Sequence, residues 1–460
     1  MLRRGSRPRL SVPTLADENA GSQDAVDPSP GASYDADIST LPLTIPPAAP
    51  PVQSLRNRRR FTWKRLLLAA AVLMAILAAF AYPQRSKFSA QGADFSRKMI
   101  GDENTARIEA LYFRLDDRVA KTKFKLLGGK TDPFGELRPR IELLPQAPGR
   151  EVVYVIGSSQ RSPGVGLTAD TLGPLPMQLP KTIALRDNLE PGEGVWTTAS
   201  LPRSSPTDML MAKTFIRPDK SRPYALVGVL LIDSRRVRLN LVGGTGEPGG
   251  SRGVKGAGQV PKEAYPQLLA AWTGGFKGPH GSFGMWAEGR EFLPLRNGLA
   301  SVVSYKDGTI KMGEWGRDLT WDDSVTGVRQ NAVLLVDKGE VSRRVNEGND
   351  TWGYVAANSA EFITWRSAIG LTKDGHLLMA AGNSLSAATL AQALWAAGAY
   401  TAMQLDINSP YVLAGLYTPQ PDGTVRAEKF MDSMPDTASR FLKAHDRDLQ
   451  YITLDESRYR

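Results

Sequence analysis

Two charged side chains stand where the chain could bind an anion and move a proton. Arg366 lies two residues before the β-type run Ala368–Thr372, and Asp406 lies in the short apolar run Met403–Ile407. A planar guanidinium can pair with phosphate oxygens through two parallel hydrogen bonds. A carboxylate on a buried strand is costly unless it has a partner or a task. Arg366 is therefore a candidate for anion binding, and Asp406 is a candidate for a site role, of which acid or base catalysis is one version.

Both residues also have structural interpretations. Arg366 could be a surface arginine on a strand, and Asp406 could cap a turn through the amides of Asn408 and Ser409. The chain has no cysteine and three histidines, none at metal-ligand spacing, which excludes disulfides, thiolate sites and a cysteine nucleophile and disfavours zinc. No cofactor is predicted, and Ca²⁺ or Mg²⁺ held by carboxylates stays open.

The glycine pair Gly274-Gly275 and the loop around His280 could complete the site. The two glycine amides could bind an anion, or the pair could form a tight turn after a helix that ends near Trp272. His280 is close enough in sequence to serve as a proton shuttle. His376, beside a hairpin turn, and His445, in a charged C-terminal helix, are expected to face solvent.

Short hairpins must position these groups. β-type runs are separated by turn sequences at Lys306–Gly308, Asp337–Gly339 and Lys373–Gly375, and Asp233–Arg236 predicts another pair between Tyr224–Ile232 and Val237–Val242.

A helix follows the last of these hairpins. Ser386 can cap a helix over Ala387–Ala397, with Gly398 placed to end it before the strand at Met403–Ile407. Hairpins followed by a helix and a strand favour an α+β fold, a β-rich hairpin-built body with a helix packed on the sheet. Gly244-x-Gly246-x-x-Gly249 follows a strand but no helix opens after it, so we interpret it as a mobile loop.

One segment is apolar enough to cross a membrane. Leu66–Tyr82 carries no charge, and six basic residues within Arg56–Arg65 precede it. We expect one transmembrane helix at 63–84, with the N-terminus inside and the C-terminal body outside a bacterial cytoplasmic membrane. A signal peptide cleaved after Ala81 is the alternative.

The remaining chain divides around that segment. Residues 1–60 are rich in proline and predict a disordered cytoplasmic tail. Region 90–204 begins with helical spacing over Ala93–Val119, which predicts a stalk, an oligomer contact or a core helix, and 205–460 forms the main domain. The net charge of +10 is concentrated before the apolar segment, which favours membrane orientation over nucleic-acid binding.

Three motifs in order resemble the phosphodiester glycosidase family, which includes N-acetylglucosamine-1-phosphodiester alpha-N-acetylglucosaminidase. Thr273–Phe276 is similar to an Asn-Gly-Gly-Phe segment, Arg366–Gly370 to an Arg-Thr-Ala-Ile-Gly strand, and 406–410 to an Asp-Gly-Gly-Gly-Ser segment. The resemblance covers about residues 205–455. By position it implies that Asp406 and Arg366 are catalytic, and that substrate is bound by Thr273, Gly274, Gly275, Asn383, Asn408 and Ser409. His280 joins the catalytic candidates through its closeness to the glycine pair.

The resemblance implies a hydrolase of glycosyl-phosphodiester linkages, here acting on a cell-envelope glycopolymer. The family's glycine run after Asp406 is replaced by Ile407-Asn408. That change keeps a second hypothesis open, a catalytically inactive glycan-binding protein on the same fold. A third is a scaffold that forms homo-oligomers through residues 93–119.

Overall fold

The computed structural model describes residues 177–353, 363–409 and 411–459, helical residues within 99–128, and the segment 132–135. The predicted tail at 1–60 and the predicted membrane helix at 63–84 lie outside the described residues. Within the described part, no helix is long and apolar enough to span a membrane. That part is β-rich with few helices.

The largest sheet has seven strands in the order β1-β2-β13-β12-β14-β10-β11. Its strands are β1 (Met211–Ile216), β2 (Val227–Ile232), β10 (Leu334–Asp337), β11 (Glu340–Val341), β12 (Thr364–Thr372), β13 (Leu377–Leu385) and β14 (Ala399–Ile407). Both faces of its central strands are buried: Met379 and Met403 join one apolar cluster, and Leu378 and Ala402 join another. This explains why these strands are continuously apolar in sequence.

Two five-stranded sheets complete the body, in the orders β16-β15-β4-β17-β3 and β6-β5-β9-β7-β8. The first contains β3 (Val237–Val242), β4 (Leu268–Thr273), β15 (Ala414–Pro419), β16 (Val425–Lys429) and β17 (Leu449–Leu454). The second contains β5 (Met285–Ala287), β6 (Arg290–Leu293), β7 (Ala300–Tyr305), β8 (Ile310–Glu314) and β9 (Val325–Gln330). Both contribute side chains to the cluster on one face of the large sheet.

Helices are short. A turn of helix, α1 (Asn349–Trp352), precedes β12, and α2 (Ala387–Ala396) connects β13 to β14. Ser386 caps α2 through a reciprocal capping box with Thr389, and Gly398 has a φ of 95°, so the predicted helix and both of its ends are confirmed. The buried side chains of α2 pack on the second face of the large sheet.

Most predicted hairpins are confirmed, because β7–β8, β10–β11 and β12–β13 pair antiparallel across the expected turns. The pairing of β2 with β3 is wrong. β2 pairs with β1 and β13, whereas β3 pairs with β17 in another sheet. The fully buried β2 needs a strand on both sides, so the turn at Asp233–Arg236 carries the chain from one sheet to the next.

The predicted helix ending near Trp272 is also wrong. Trp272 lies in the fully buried strand β4, which follows the 3₁₀ turn Lys262–Gln267. Every residue of Leu268–Thr273 is buried, because β4 lies between β15 and β17 in its sheet and its apolar side chains join the large core cluster. A short, doubly buried strand has the same continuous apolar pattern as a buried piece of helix.

Candidate functional site

The structure brings Asp406 and the Thr273–Phe276 segment together. The backbone N–H of Asp406 donates to the carbonyl of Gly274 at 2.9 Å. Its carboxylate accepts from the N–H of Ile407 at 3.0 Å and from the Nη2 of Arg447. The Asp406 and Arg447 side chains are only 5% and 3% exposed, so the two form a buried ion pair.

Arg447 is the group at this site whose hydrogen bonds are least satisfied. Nη2 donates to Asp406 and, at 3.1 Å, to the carbonyl of Gly275. Within the described part of the chain, no group accepts from Nε or Nη1, and both atoms are buried. The ring of Tyr411 covers the guanidinium, with its centroid 4.8 Å from Cζ. Buried donors without partners are rare in proteins, so these two nitrogens have hydrogen-bonding capacity left for a ligand.

Burial sets the protonation of this pair. It raises the pKa of Asp406, and Asp448 adds repulsion, while the nearby Arg447 charge acts in the opposite direction. Burial alone would lower the pKa of Arg447, but Asp406 and Asp448 together raise it. Arg447 therefore stays charged, and its charge is shared between two carboxylates. Because burial outweighs the attraction of Arg447, the pKa of Asp406 is raised, and Asp406 is easier to protonate than an ordinary aspartate.

A second buried pair, Asp448 with Arg329, supports the first. The Arg329 Nε donates to Asp448 Oδ2 at 2.8 Å, and the same oxygen accepts from the N–H of Gly275 at 3.0 Å. The N–H of Gly274 donates to the Asp448 carbonyl at 3.0 Å. The predicted anion-binding amides of the glycine pair are therefore already engaged by Asp448.

This packing explains why both positions are glycine. A Cβ on Gly274 would lie 1.9 Å from an Asp448 carboxylate oxygen, and one on Gly275 would lie 2.6 Å from the Arg329 guanidinium. The glycines allow a buried salt bridge to approach the backbone directly, which no larger residue permits.

Partly exposed residues surround the buried pair. Thr273 is itself buried, but its Oγ1 donates to the Tyr411 carbonyl and accepts from Arg440 Nη2, each at 2.7 Å. The Nζ of Lys277 lies 5.2 Å from the centre of the Tyr411 ring. Tyr411 is thus held between the Arg447 and Lys277 cations, and we call Thr273, Lys277, Tyr411 and Arg440 the rim.

Asn408 shapes the turn that carries Tyr411. It has a φ of 71°, and its carbonyl accepts from the N–H groups of Tyr411 and Val412. Its side-chain oxygen accepts from Thr364 Oγ1 at 2.8 Å. Left-handed backbone favours glycine, and asparagine tolerates it best among the other residues, which accounts for an asparagine where the resembled family has a glycine. Ser409 follows in the same turn and is partly exposed.

Arg366 is next to Asp406 in the sheet but faces the other way. β12 pairs Arg366 with Ile407, and a register irregularity between Arg366 and Ala368 separates it from the next pair. Its guanidinium donates to the carbonyls of Leu385 and Trp352 and, at 2.6 Å, to Gln404 Oε1. At 1% exposure, Arg366 joins strands on the α2 side of the large sheet.

The remaining predicted residues are Asn383 and His280, and His280 contacts Lys277 of the rim. Asn383 is near the end of β13, where its Oδ1 accepts from the N–H of Ser384 at 2.7 Å. His280 is partly exposed on the turn after Lys277, and its N–H donates to the Lys277 carbonyl at 3.0 Å.

Two expectations about histidines are wrong. His376 is 1% exposed and its Nδ1 lies 3.5 Å from Asp233 Oδ1, because β13 begins inside the large sheet; burial lowers its pKa. His445 does not lie in a helix. It is in the loop between the 3₁₀ turn Ala438–Leu442 and β17, where its Nδ1 contacts Asp446 at 2.8 Å.

The sequence reasoning missed the residues that contact Asp406 and its supporting segment, namely Arg329, Tyr411, Arg440, Arg447 and Asp448. One signal was available, since His445–Asp448 is a run of charged residues directly before the apolar strand β17. Charges at the start of a buried strand need partners. Among the described residues, no three His, Asp or Glu side chains gather as a metal site.

Comparisons with known proteins agree with the sequence motifs. Residues 281–406 match the family model for phosphodiester glycosidases, which confirms the resemblance and ends at Asp406. Arg447 and the Thr273–Phe276 segment lie outside the matched range. No curated protein matches the chain.

Solved structures show distant similarity. The catalytic domain of zebrafish N-acetylglucosamine-1-phosphodiester alpha-N-acetylglucosaminidase, auto-inhibited by its pro-peptide, is 16% identical over 56% of this chain and 87% of its own, with a TM-score of 0.35. A hypothetical protein from Synechocystis is 12% identical over 53% of this chain and 62% of its own, with a TM-score of 0.28.

Proposed function

We propose that the protein hydrolyses glycosyl phosphodiesters at the Asp406–Arg447 pair. The observation that carries this proposal is a buried guanidinium with two unused donor nitrogens beside a carboxyl whose pKa is raised by burial. Such a pair offers a phosphate its positive charge and hydrogen bonds, and offers a leaving oxygen a proton. The match of residues 281–406 to phosphodiester glycosidases supports the same reaction class.

The reaction breaks the bond between the anomeric carbon and the phosphate oxygen. A water oxygen bonds to the anomeric carbon, one water proton is released, and the phosphate leaves as a monoester. Arg447 holds a non-bridging phosphate oxygen and neutralises charge as the bond breaks. Asp406, in its protonated form, donates to the bridging oxygen while positive charge develops on the sugar ring.

The rim would bind the groups on either side of the phosphate. Lys277 supplies a second positive charge, and Tyr411 offers an aromatic ring that suits a sugar face. Arg440 and Thr273 hold the Tyr411 backbone in place through its carbonyl. His280, three residues after Lys277, remains our candidate for proton transfer.

We further propose that the substrate is a cell-envelope glycopolymer. The support is the sequence pattern, in which a basic segment and the apolar run Leu66–Tyr82 precede the domain. A single helix oriented in this way would hold the C-terminal domain outside the bacterial cytoplasmic membrane.

Turnover of a synthetic N-acetylglucosamine-1-phosphodiester by the full-length protein, followed by ³¹P NMR, tests the activity. Arg447→Met should lower kcat/KM by about 10²–10³-fold, whereas Arg426→Met, at an exposed pair on β16, should change nothing. Arg366→Met tests whether Arg366 or Arg447 contacts the phosphate. If the folded Arg366→Met variant keeps its activity, the phosphate contact belongs to Arg447. If Arg447→Met and Asp406→Asn both kept the wild-type rate, the proposed site would be wrong.

One observation favours the inactive glycan-binding alternative. The unused donors of Arg447 lie under Tyr411 and are not exposed, so a substrate would have to displace that ring. Binding of envelope glycans by the wild-type protein, without release of any phosphomonoester, would support this second function and contradict hydrolysis.

A further inference from the structure

The helical residues 99–127 present an apolar stripe that the rest of the described chain leaves uncovered. Its members recur at spacings of three or four residues. They are Ile108 at 58% exposure, Leu111 at 54%, Leu115 at 50%, Val119 at 58% and Leu126 at 76%. With Thr122, also exposed, they form a single line that we call the 108–126 stripe.

Contacts with the body fix which way this stripe points. Arg222 Nε donates to both carboxylate oxygens of Asp117, at 3.0 and 3.1 Å, and the Tyr224 hydroxyl donates to the same carboxylate at 2.7 Å. About two helical turns later, the Phe124 ring lies 5.8 Å from the Tyr224 ring. At about 100° per residue, the centre of the stripe is roughly 160° around the helix from Asp117. The helix is therefore held by one face and shows its apolar face outward.

The spacing of the stripe suits a partner helix. From Ile108 to Leu126 the intervals between stripe residues are three, four, four, three and four. Intervals of three, four and four add up to an 11-residue repeat. Such a repeat keeps the contact line continuous between two helices that are nearly straight or wind slightly right-handed around each other. The stripe spans less than about 100° of the helix circumference, which is the width of a helix–helix seam, and Leu127, 77% exposed at the end of the helix, lies off this line. A helix that lies in a membrane surface needs a broader apolar face.

We propose that the 108–126 stripe pairs in parallel with the same stripe of a second copy of this chain. The seam would be about 27 Å long. Basic side chains line one flank at Arg107, Arg114, Arg118, Lys121 and Lys125.

The position of these charges selects the orientation. In a parallel pair, the basic flank of one helix lies against the opposite flank of its partner. An antiparallel pair would place basic flank against basic flank, which is repulsive. The parallel arrangement also keeps the two predicted membrane segments, which precede the helix in each copy, on the same side.

The absence of cysteine from the chain makes single-cysteine cross-linking a clean test. Full-length Ile108→Cys, Leu115→Cys and Leu126→Cys variants, in detergent micelles under mild oxidation, should each give a disulfide-linked dimer. Lys121→Cys, which is exposed but off the stripe, is the matched control and should give at least tenfold less. Sedimentation of Leu111→Glu/Leu115→Glu should show a lower dimer fraction with unchanged circular dichroism.

The outcomes separate the possible occupants of the stripe. Cross-linking at all three stripe positions supports the parallel pair. Cross-linking at only one of them indicates an antiparallel crossing and overturns the orientation. The pairing is overturned if the stripe variants cross-link no more than Lys121→Cys does and the protein sediments as a monomer. If that monomer then binds anionic phospholipid vesicles through the stripe, the partner of the stripe is a membrane surface instead.

Discussion

Two buried Asp–Arg pairs lie side by side on the Gly274–Phe276 segment, and they differ in how fully their hydrogen bonds are used. Every guanidinium nitrogen of Arg329 donates, to Asp448 or to backbone carbonyls. Arg447 donates through one nitrogen and leaves two buried without a partner. A satisfied pair holds strands together, whereas an incompletely satisfied one has capacity left for a ligand.

The same comparison separates Arg366 from Arg447. Both are buried arginines near Asp406, but Arg366 is surrounded by backbone carbonyls and Gln404 on the α2 side of the sheet. A guanidinium that already has acceptors would have to give them up before it could bind phosphate. We therefore assign the phosphate contact to Arg447 in the proposed function.

Breaking the satisfied pair should have the largest effect on stability. Arg329→Met would leave Asp448 charged and buried without its partner, which should lower the free energy of unfolding by about 3–5 kcal/mol. Urea denaturation followed by tryptophan fluorescence measures this. Arg426→Met on the surface should stay within about 0.5 kcal/mol of the wild type, and an Arg329→Met value in that range would contradict the structural role of the pair.

Neutralising the incompletely satisfied pair should have the opposite effect on stability. In Asp406→Asn/Arg447→Met the amide still accepts from Ile407, while the unpaired donors of Arg447 are gone. We expect an unfolding free energy equal to the wild type or higher by up to about 4 kcal/mol, with loss of hydrolysis. A marked loss of stability would mean that the Asp406–Arg447 pair is structural after all.

A substitution at Gly275, which contacts both ion pairs, should destabilise the protein less. Gly275→Ala places a Cβ against the Arg329 guanidinium and should cost about 1–3 kcal/mol through forced displacement. Gly250→Ala is the matched control, because nothing lies within 4 Å of its added Cβ. Thermal unfolding of both variants measures the difference, and equal midpoints would show that the close approach is relaxed in solution.

The smallest expected effect is a pH dependence from Asp406. Its pKa is raised in the folded protein, so the folded state holds a proton that the unfolded state releases at lower pH. The stability that Asp406 contributes should be complete below its unfolded pKa and should be lost as pH rises through the folded value. As pH rises from 4 to 8, the free energy of unfolding of the wild type should fall relative to that of Asp406→Asn. If the two free energies change with pH in parallel, the pKa of Asp406 is not raised.

Local features of the fold could be read from the sequence. The three hairpins with glycine-containing turns and the capped helix α2 depend on residues only a few positions apart, and all are confirmed. The β2–β3 pair was wrong because adjacency in sequence cannot say whether a turn stays within one sheet. Trp272 was assigned to a helix because a short buried strand and a buried helix share the same apolar pattern.

The sequence alone determined that Asp406 follows an apolar run and that a glycine pair precedes Phe276. Tertiary structure decided what these residues contact. β4 pairs with β17, which brings Arg447 and Asp448 from the end of the chain onto Gly274 and Gly275. The strand irregularity beside Arg366 turns its side chain away from Asp406. Strand order decides which distant residues become partners, and register decides which face a side chain occupies. Local spacing in the sequence specifies neither strand order nor register.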